Sequence, residues 1–516
     1  MLRIRKKEID TLESALTPQL DDILISYSVH CLLLVNDITY SEYFLLPTME
    51  HGTFPFTHTY PVLGWFLTAA ITLVYLYFTR NKSAITHDFP PDAPGGYMYI
   101  SARVRSIDLH NYVLEVSRTV GKVVRLPLIP FLHIFMVADA KIARMVLENS
   151  QTRKWGFGYG FIDHVCGGDN FFSSEGKRHG HVRKSTSTAF AKQHVEDMMR
   201  TAEVVLEEWL EQQSNDFELD ISREMQKLTI QVIGKIGFNF EFSMHETLKV
   251  QESLQIAIAE FSQNQRRYPQ RKLFGYFYPG VRRAWQASRD LNDICRTILQ
   301  AYKEGSAPNS LLMHIVNDKD YDNDEQRIRD MILYLAAGYD TTASTISWTL
   351  LELAKNPPLQ NWLREELLKL PSVDRRHATA LKHVIKESMR LHITSPVGAL
   401  RRLSEDLILE DGTLLPAKAV LIIATYAIHR DESVFEKADA FVPRRWEDAT
   451  PEMQKSWIGF SLGRRSCLGQ ALAKAELSVV LAKLCCNYEW SVIEEGRGET
   501  SVTLKPVGAI LKAKKV

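Results

Sequence analysis

Residues 460–469 read FSLGRRSCLG, and a helix-forming run, QALAKAELSVVLAKL, follows directly at 470–484. Gly463 and Gly469 let the backbone turn tightly and approach something flat or bulky. Arg464 and Arg465 stand just before Cys467, where positive charge favours a thiolate over a thiol. The helix that follows directs its N-terminal amides toward the sulfur and favours negative charge there as well. A sulfur held in this way suits a nucleophile or a metal ligand. The remaining cysteines, at 31, 166, 295, 485 and 486, have no zinc-ribbon or CxxC spacing. They read as small buried hydrophobes in a chain kept in a reducing compartment.

Working outward, AGYDTT (337–342) lies inside a helical stretch from about Arg327 to Ala354. Gly338 and the β-branched threonines weaken a helix locally, and a local flaw in a good helix often marks function. Asp340, Thr341 and Thr342 would equally serve as the cap of a new helix. Glu387 and Arg390 form an i,i+3 pair within LKHVIKESMRLH (381–392), a pairing that contributes roughly tenths of a kcal/mol at a surface.

Together these segments resemble the cytochrome P450 family. Phe460, Gly463, Arg465, Cys467 and Gly469 match its FxxGxRxCxG haem-binding signature. AGYDTT is similar to the family's distal-helix motif, and Glu387 with Arg390 to its ExxR pair, in the family's order along the chain. The resemblance implies that Cys467 is the proximal thiolate of a haem b iron, with Phe460 packed beside it and Arg465 paired to a propionate. It implies that Asp340 and Thr341 stabilise dioxygen and deliver protons, Ala337 and Gly338 leaving room for oxygen and substrate. Arg445, within FVPRRW (441–446), would join Glu387 and Arg390 in a buried ion network, although Arg444 stands where the family's glutamate is usual. Arg183 corresponds to the arginine of a WxxxR pair, with His179 in the place of tryptophan. Arg401 or Arg402 would supply a further propionate contact, a one-residue offset leaving both open.

The implied fold class is mainly α with small β-sheets, a single large haem domain over residues 97–516. Apolar residues recur at helical spacing, as at Val204, Leu206, Trp209 and Leu210. Strand-like runs occur at Val123–Leu126 and Val420–Ile423, the latter after a Gly-turn hairpin that begins at Leu407. Lys plus Arg and Asp plus Glu both number 62, which leaves no electrostatic case for nucleic acid as a partner. Tyr60–Phe78 carries no charge over nineteen residues. As a helix it would be about 28 Å long, enough to cross a bilayer. Arg80 and Lys82 follow it, while 36–59 has no Lys or Arg, so the C-terminal side would face the cytoplasm. The expected organisation is an extension (1–59) without an assigned role, a transmembrane anchor (60–78), a Pro/Gly-rich hinge (79–96) and the haem domain, on the endoplasmic reticulum.

No GxGxxG follows a strand, so no flavin or nicotinamide site is expected in this chain. The resemblance then implies electrons from NADPH through a separate NADPH–cytochrome P450 reductase, or cytochrome b5, with Arg464 and Lys474 as docking candidates. The implied function is insertion of one oxygen atom of O2 into an apolar small molecule, such as a lipid, terpenoid or specialised metabolite. Two rivals stay open: an isomerase or dehydratase of the same fold that needs no external O2, and a haem-binding sensor or carrier. The aromatic run KLFGYFYPGVRRAW (272–285) reads as a membrane-facing, substrate-facing or packed segment.

Overall fold

The computed structural model of the chain describes residues 89–129, 132–190, 194–265, 270–305 and 310–516. The extension 1–59 and the expected anchor Tyr60–Phe78 lie outside the described residues. No described helix is long and apolar enough to cross a membrane.

Five helices position the site: α1 (Gly176–Ser187), α2 (Ile221–Phe238), α3 (Asp324–Lys355), α4 (Thr379–Leu391) and α5 (Gln470–Asn487). The longest, α3, starts where the Asn323 side chain accepts the Gln326 N–H at 3.0 Å, a standard cap. Its apolar residues are not confined to one stripe, which marks a helix buried on all sides. Ile328, Met331, Leu335, Ile346 and Leu350 are fully buried. In its central part, Ala337, Gly338 and Thr341 alone keep some exposure.

AGYDTT does not interrupt α3. The Thr341 hydroxyl donates to the Ala337 carbonyl at 2.8 Å, and Thr345, Ser347 and Thr349 repeat the same backward bond at 3.0, 2.7 and 2.7 Å. The helix satisfies these hydroxyls itself, so the alternative in which Asp340 caps a new helix is excluded. A Cβ at Gly338 would lie 3.1 Å from Ile233 Cγ1 of α2, and both residues border the cavity that α3 helps to enclose, so a side chain here would crowd the packing of α2 on α3.

The main sheet has β1 (Val123–Arg125), β2 (Ile134–Val137), β3 (Arg153–Lys154), β4 (Ala399–Arg402) and β5 (Val420–Ile423) in the order β1-β2-β5-β4-β3. The β2–β5 pair is parallel and the others are antiparallel. The expected hairpin is present: Leu407–Ile408 pairs with Leu414–Leu415, and Gly412 turns at φ +86. Near the C terminus a second hairpin, β6 (Arg497–Thr500) and β7 (Leu504–Val507), lies against α3, where Trp348 Nε1 donates to the Leu504 carbonyl at 3.1 Å.

The described part of the expected hinge is docked on the domain. The Ala93 N–H donates to the Arg125 carbonyl (2.9 Å) and the Arg125 N–H to the Pro91 carbonyl (2.8 Å). Asp92 pairs with the Arg125 side chain, and Ala93 is buried. The prolines at 90, 91 and 94 therefore stiffen a segment that borders β1, and the packed body reaches back to Phe89 instead of starting at residue 97.

Glu387 and Arg390 face inward from α4. Arg390 donates twice to Glu387, each at 2.9 Å, and its remaining N–H groups reach the carbonyls of His429, Ala438 and Ala440. Glu387 also accepts from Arg445 Nε (3.0 Å), Trp446 Nε1 (3.0 Å) and the Val442 N–H (2.9 Å). Arg444, at the position that departs from the family pattern, points elsewhere: its guanidinium lies 4.7 Å from the Trp362 ring centre. Trp446 takes part in the network although no spacing in the sequence singled it out.

Candidate functional site

A cavity of roughly 350 Å³ lies between α3 on one side and the cysteine loop with α5 on the other. Its walls are mainly apolar, and Cys467, Phe460 and Gly469 border it with Thr341, Ala337 and the backbone of Gly338. The loop's shape follows from two backbone positions. Gly463 turns at φ +67, and a Cβ there would lie 2.3 Å from the Leu147 carbonyl oxygen, so no side chain fits. Ser461 adopts φ +57, a left-handed conformation that costs a residue with a side chain about 1–2 kcal/mol. Strain of this kind is held at functional sites by the packing around it. At Gly469 a Cβ would meet nothing within 4 Å, so this glycine opens onto the cavity.

The Cys467 N–H donates to the Phe460 carbonyl at 2.8 Å, which closes the loop. Burial pushes the thiol up, while the Gly469 N–H and the Arg183 guanidinium pull it back down. Arg183 of α1 thus adds a cation near the sulfur to the Arg464 and Arg465 read from the sequence. Arg183 is held by Ser466, donating to its carbonyl at 2.9 Å and its hydroxyl at 3.1 Å.

Positive charge gathers on one rim of the cavity. Lys154 of β3, Arg183, Arg401 of β4 and Arg465 all border it. Glu175 supplies an acidic counter-charge, 2.7 Å from Arg465. Burial, then Arg465 and Arg401, hold the Lys154 ammonium well below the usual lysine range. Strand alternation separates the two candidate arginines: Arg401 is buried and borders the cavity, whereas Arg402 points to the other face of β4. Arg465 Nη1 is buried without a hydrogen-bond partner. A cluster of four cations with an unsatisfied donor and one carboxylate fits an anionic group, and the two propionates of a haem meet that requirement. Lys154 and Glu175 carry no motif, and sequence reading passed them over.

His179 also borders the cavity and stacks on Phe171, with centroids 5.1 Å apart and rings inclined by 5°. Burial first, then Arg465 and Arg183, bring its pKa down to about 3. His429, fully buried beside the Glu387 network, falls to about 3 as well, through burial and then Arg390. Its Nε2 accepts the Ile458 N–H at 2.8 Å. Both folded-state values lie below the unfolded 6.5, so the stability from keeping these rings neutral is complete above pH 6.5 and is lost as pH falls toward 3. The unfolding free energy from urea titrations should decline below pH 6.5, by up to about 1.4 kcal/mol per pH unit for each ring, and the midpoint should fall with it. A midpoint that stays flat from pH 7 to pH 5 would contradict the neutral assignment.

Asp340 and Thr341, adjacent in sequence, diverge in space. Thr341 borders the cavity, and the Asp340 carboxylate turns to the far side of α3. There it accepts from Gln226 Nε2 of α2 at 2.7 Å and from the Thr503 hydroxyl, with Lys505 Nζ 3.5 Å away. Gln226 is fixed in turn by Gln251 and Gln255, whose amides donate to its Oε1 at 3.1 and 2.8 Å. Arg464 and Lys474 are exposed on the cysteine side.

The family model described as Cytochrome P450 matches residues 90–516, and the chain belongs to the cytochrome P450 family. It is 32% identical over 231 residues to the mitochondrial sterol 26-hydroxylase of Rattus norvegicus, a match covering 42% of this chain and 43% of that protein. It is 27% identical over 328 residues to the taurochenodeoxycholic 6 alpha-hydroxylase of Sus scrofa, covering 58% and 64%. With cytochrome P450 4F11 of Homo sapiens it shares 27% identity over 370 residues, covering 64% and 70%. The chain spans less than half the length of the sterol 26-hydroxylase that it matches.

Proposed function

We propose that this chain is a haem-thiolate monooxygenase that inserts one oxygen atom from O2 into an apolar small molecule. The carrying observation is the cavity itself, with the Cys467 sulfur on one wall, Thr341 on the other and a cationic rim between them. Haem b, ligated by Cys467, would supply O2 activation, because a thiolate pushes electron density onto iron and favours O–O cleavage. Arg183, Arg401, Arg465 and Lys154 would hold the propionates, with His179 offering a ring N–H on the same rim. Phe460 and the Gly469 backbone would pack against the proximal face. Thr341 would turn its hydroxyl, which donates to the Ala337 carbonyl in this structure, toward the cavity to pass a proton, and Asp340 would hold that stretch of α3 from behind through its bonds to Gln226 and Thr503. Glu387, Arg390 and Arg445 would serve as structural support.

The relatives named as hydroxylases of sterol and bile-acid substrates, together with the apolar walls, support a lipid or terpenoid substrate. Electrons would come from NADPH through NADPH–cytochrome P450 reductase or cytochrome b5, with Arg464 and Lys474 offering cations at the thiolate side. Attachment to the endoplasmic reticulum through residues 60–78 remains part of this proposal. Phe274, Tyr276 and Phe277 are 50%, 72% and 76% exposed beside the exposed cations Lys272, Arg282 and Arg283, a composition that suits a membrane interface. A second reading, an isomerase or dehydratase without external O2, draws on the Asp340 carboxylate facing away from the cavity.

One reconstitution separates the two. With reductase, NADPH and a substrate that binds, oxygen consumption matched to product supports the monooxygenase; product without oxygen or NADPH consumption supports the isomerase. Thr341→Ala should keep haem and substrate binding but divert NADPH oxidation to hydrogen peroxide, lowering product by roughly 10²-fold. Unchanged coupling in this variant would remove Thr341 from proton delivery.

A further inference from the structure

His181 stands on α1 two residues before Arg183, and its ring meets the turn that leads into α3 instead of the cavity. There Nε2 lies 2.9 Å from Asp318 Oδ1 and Nδ1 lies 2.8 Å from Asp320 Oδ2. One ligand atom from each of the three residues lies within 4.8 Å of the others. Among the described residues no other group of three or more His, Cys, Asp or Glu side chains comes together in this way. The nearby cation is engaged elsewhere. Arg327 donates to the Asp318 backbone carbonyl at 3.2 Å and to the Asp324 carboxylate at 3.3 Å.

The Asp318 side chain is only 2% exposed. Its Oδ1 already accepts the Asp320 N–H at 2.9 Å, and its Oδ2 is buried without a hydrogen-bond partner. Burial pushes the Asp318 carboxyl up, but the Asp320 N–H and His181 outweigh it, the nearby Ser185 hydroxyl adds to them, and the group stays below its usual range. It is therefore a carboxylate at neutral pH. The Ser185 hydroxyl is directed at the His314 carbonyl, 3.5 Å away, and leaves Oδ2 without a bond. A buried carboxylate oxygen without a donor is costly and calls for a use. A bound cation removes that cost. The His181 and Asp320 side chains, 43% and 61% exposed, leave the opposite side of the group open as an entry path from solvent.

We propose that His181, Asp318 and Asp320 form a divalent cation site, with zinc as the ion that the donor set fits. One imidazole and two carboxylates are donors that zinc accepts, water completing its shell. The imidazole sets zinc apart from calcium and magnesium, which take oxygen ligands. Charge balances as well, two carboxylates and a neutral ring against one doubly charged ion. Asp318 can meet the ion through Oδ2 while Oδ1 keeps its bond to the Asp320 N–H. Tetrahedral zinc places donor atoms roughly 3.3 Å apart, and the two exposed side chains are free to close in to that spacing. The ion would pin α1, which carries His179 and Arg183, to the turn that starts α3. The site lies outside the cavity, so the inference is independent of the reaction proposed there.

The test uses the untagged full-length holoenzyme, depleted with a chelator and dialysed against micromolar zinc chloride with millimolar magnesium present. After desalting, the parent should hold one zinc per chain beside its haem iron. H181A and D320N, both at exposed positions, should keep the carbon monoxide spectrum and bind zinc at least roughly tenfold more weakly. Zinc at about 100-fold above its Kd should raise the melting temperature of the parent by about 3 °C and leave that of the variants unchanged. Zinc-edge X-ray absorption of the parent should show nitrogen and oxygen neighbours at about 2.0–2.2 Å and no sulfur. A parent that holds no zinc after this treatment overturns the proposal, and so does equal zinc in parent and variants. Sulfur ligation overturns it even if the variants fail to fold.

Discussion

Cys467→Ala should yield a protein that no longer gives the thiolate-type carbon monoxide spectrum and has no turnover above background. Among the described residues Cys467 is the cysteine that borders the cavity, whereas Cys166, Cys295, Cys485 and Cys486 are buried away from it. The loop around it is closed by backbone bonds from Cys467 to Phe460 and from Ser466 to Gly463, none of which needs the sulfur. The variant should therefore fold, with a urea midpoint near that of the parent stripped of haem. That comparison separates loss of the ligand from loss of the domain. Retention of the parent spectrum would place the iron ligand elsewhere.

Glu387→Gln should have the largest effect on stability. Two Glu387 oxygens accept five hydrogen bonds, from Arg390, Arg445, Trp446 and Val442. The Glu387 and Arg390 side chains are fully buried and Arg445 nearly so. Removing the carboxylate charge leaves two guanidinium groups in the interior without their counter-ion, a change that costs about 3–5 kcal/mol. Against a total of about 5–15 kcal/mol, the expected outcome is a sharply lower urea midpoint and poor haem retention. Arg444→Glu is the contrast. Because Arg444 stacks on Trp362 and makes no bond to the network, restoring the family's glutamate should change stability by about 1 kcal/mol or less. A large effect at 444 would mean that the network extends beyond the contacts seen.

What could be read from sequence was whatever depends on short spacing. The cysteine loop works through bonds between residues a few positions apart, and the Glu387–Arg390 pair is one helical step, so both stood in the sequence as local patterns. Facing was a different matter. Asp340 and Thr341 are neighbours on α3, yet about 100° of helical rotation separates them, and nothing in AGYDTT says which one meets the cavity. Arg401 and Arg402 posed the same question on a strand, where alternation makes one answer certain once the sheet is known. Lys154, Glu175 and Trp446 reach their places through contacts between distant segments and leave no periodic trace. Gly338 stood out as a flaw in a helix, and its close partner Ile233, more than a hundred residues earlier, could not be read from spacing.

The grip of the β6–β7 hairpin on Asp340 bears on the order in which the ribosome delivers the parts. Cys467 emerges 36 residues before Thr503 and 38 before Lys505. Until they do, the Asp340 side of α3 lacks two of its three clasps. A chain released early, between Cys467 and Thr503, would carry Cys467 and yet hold that acid through Gln226 alone. Completion of β7 is thus the event that closes the clasp around Asp340.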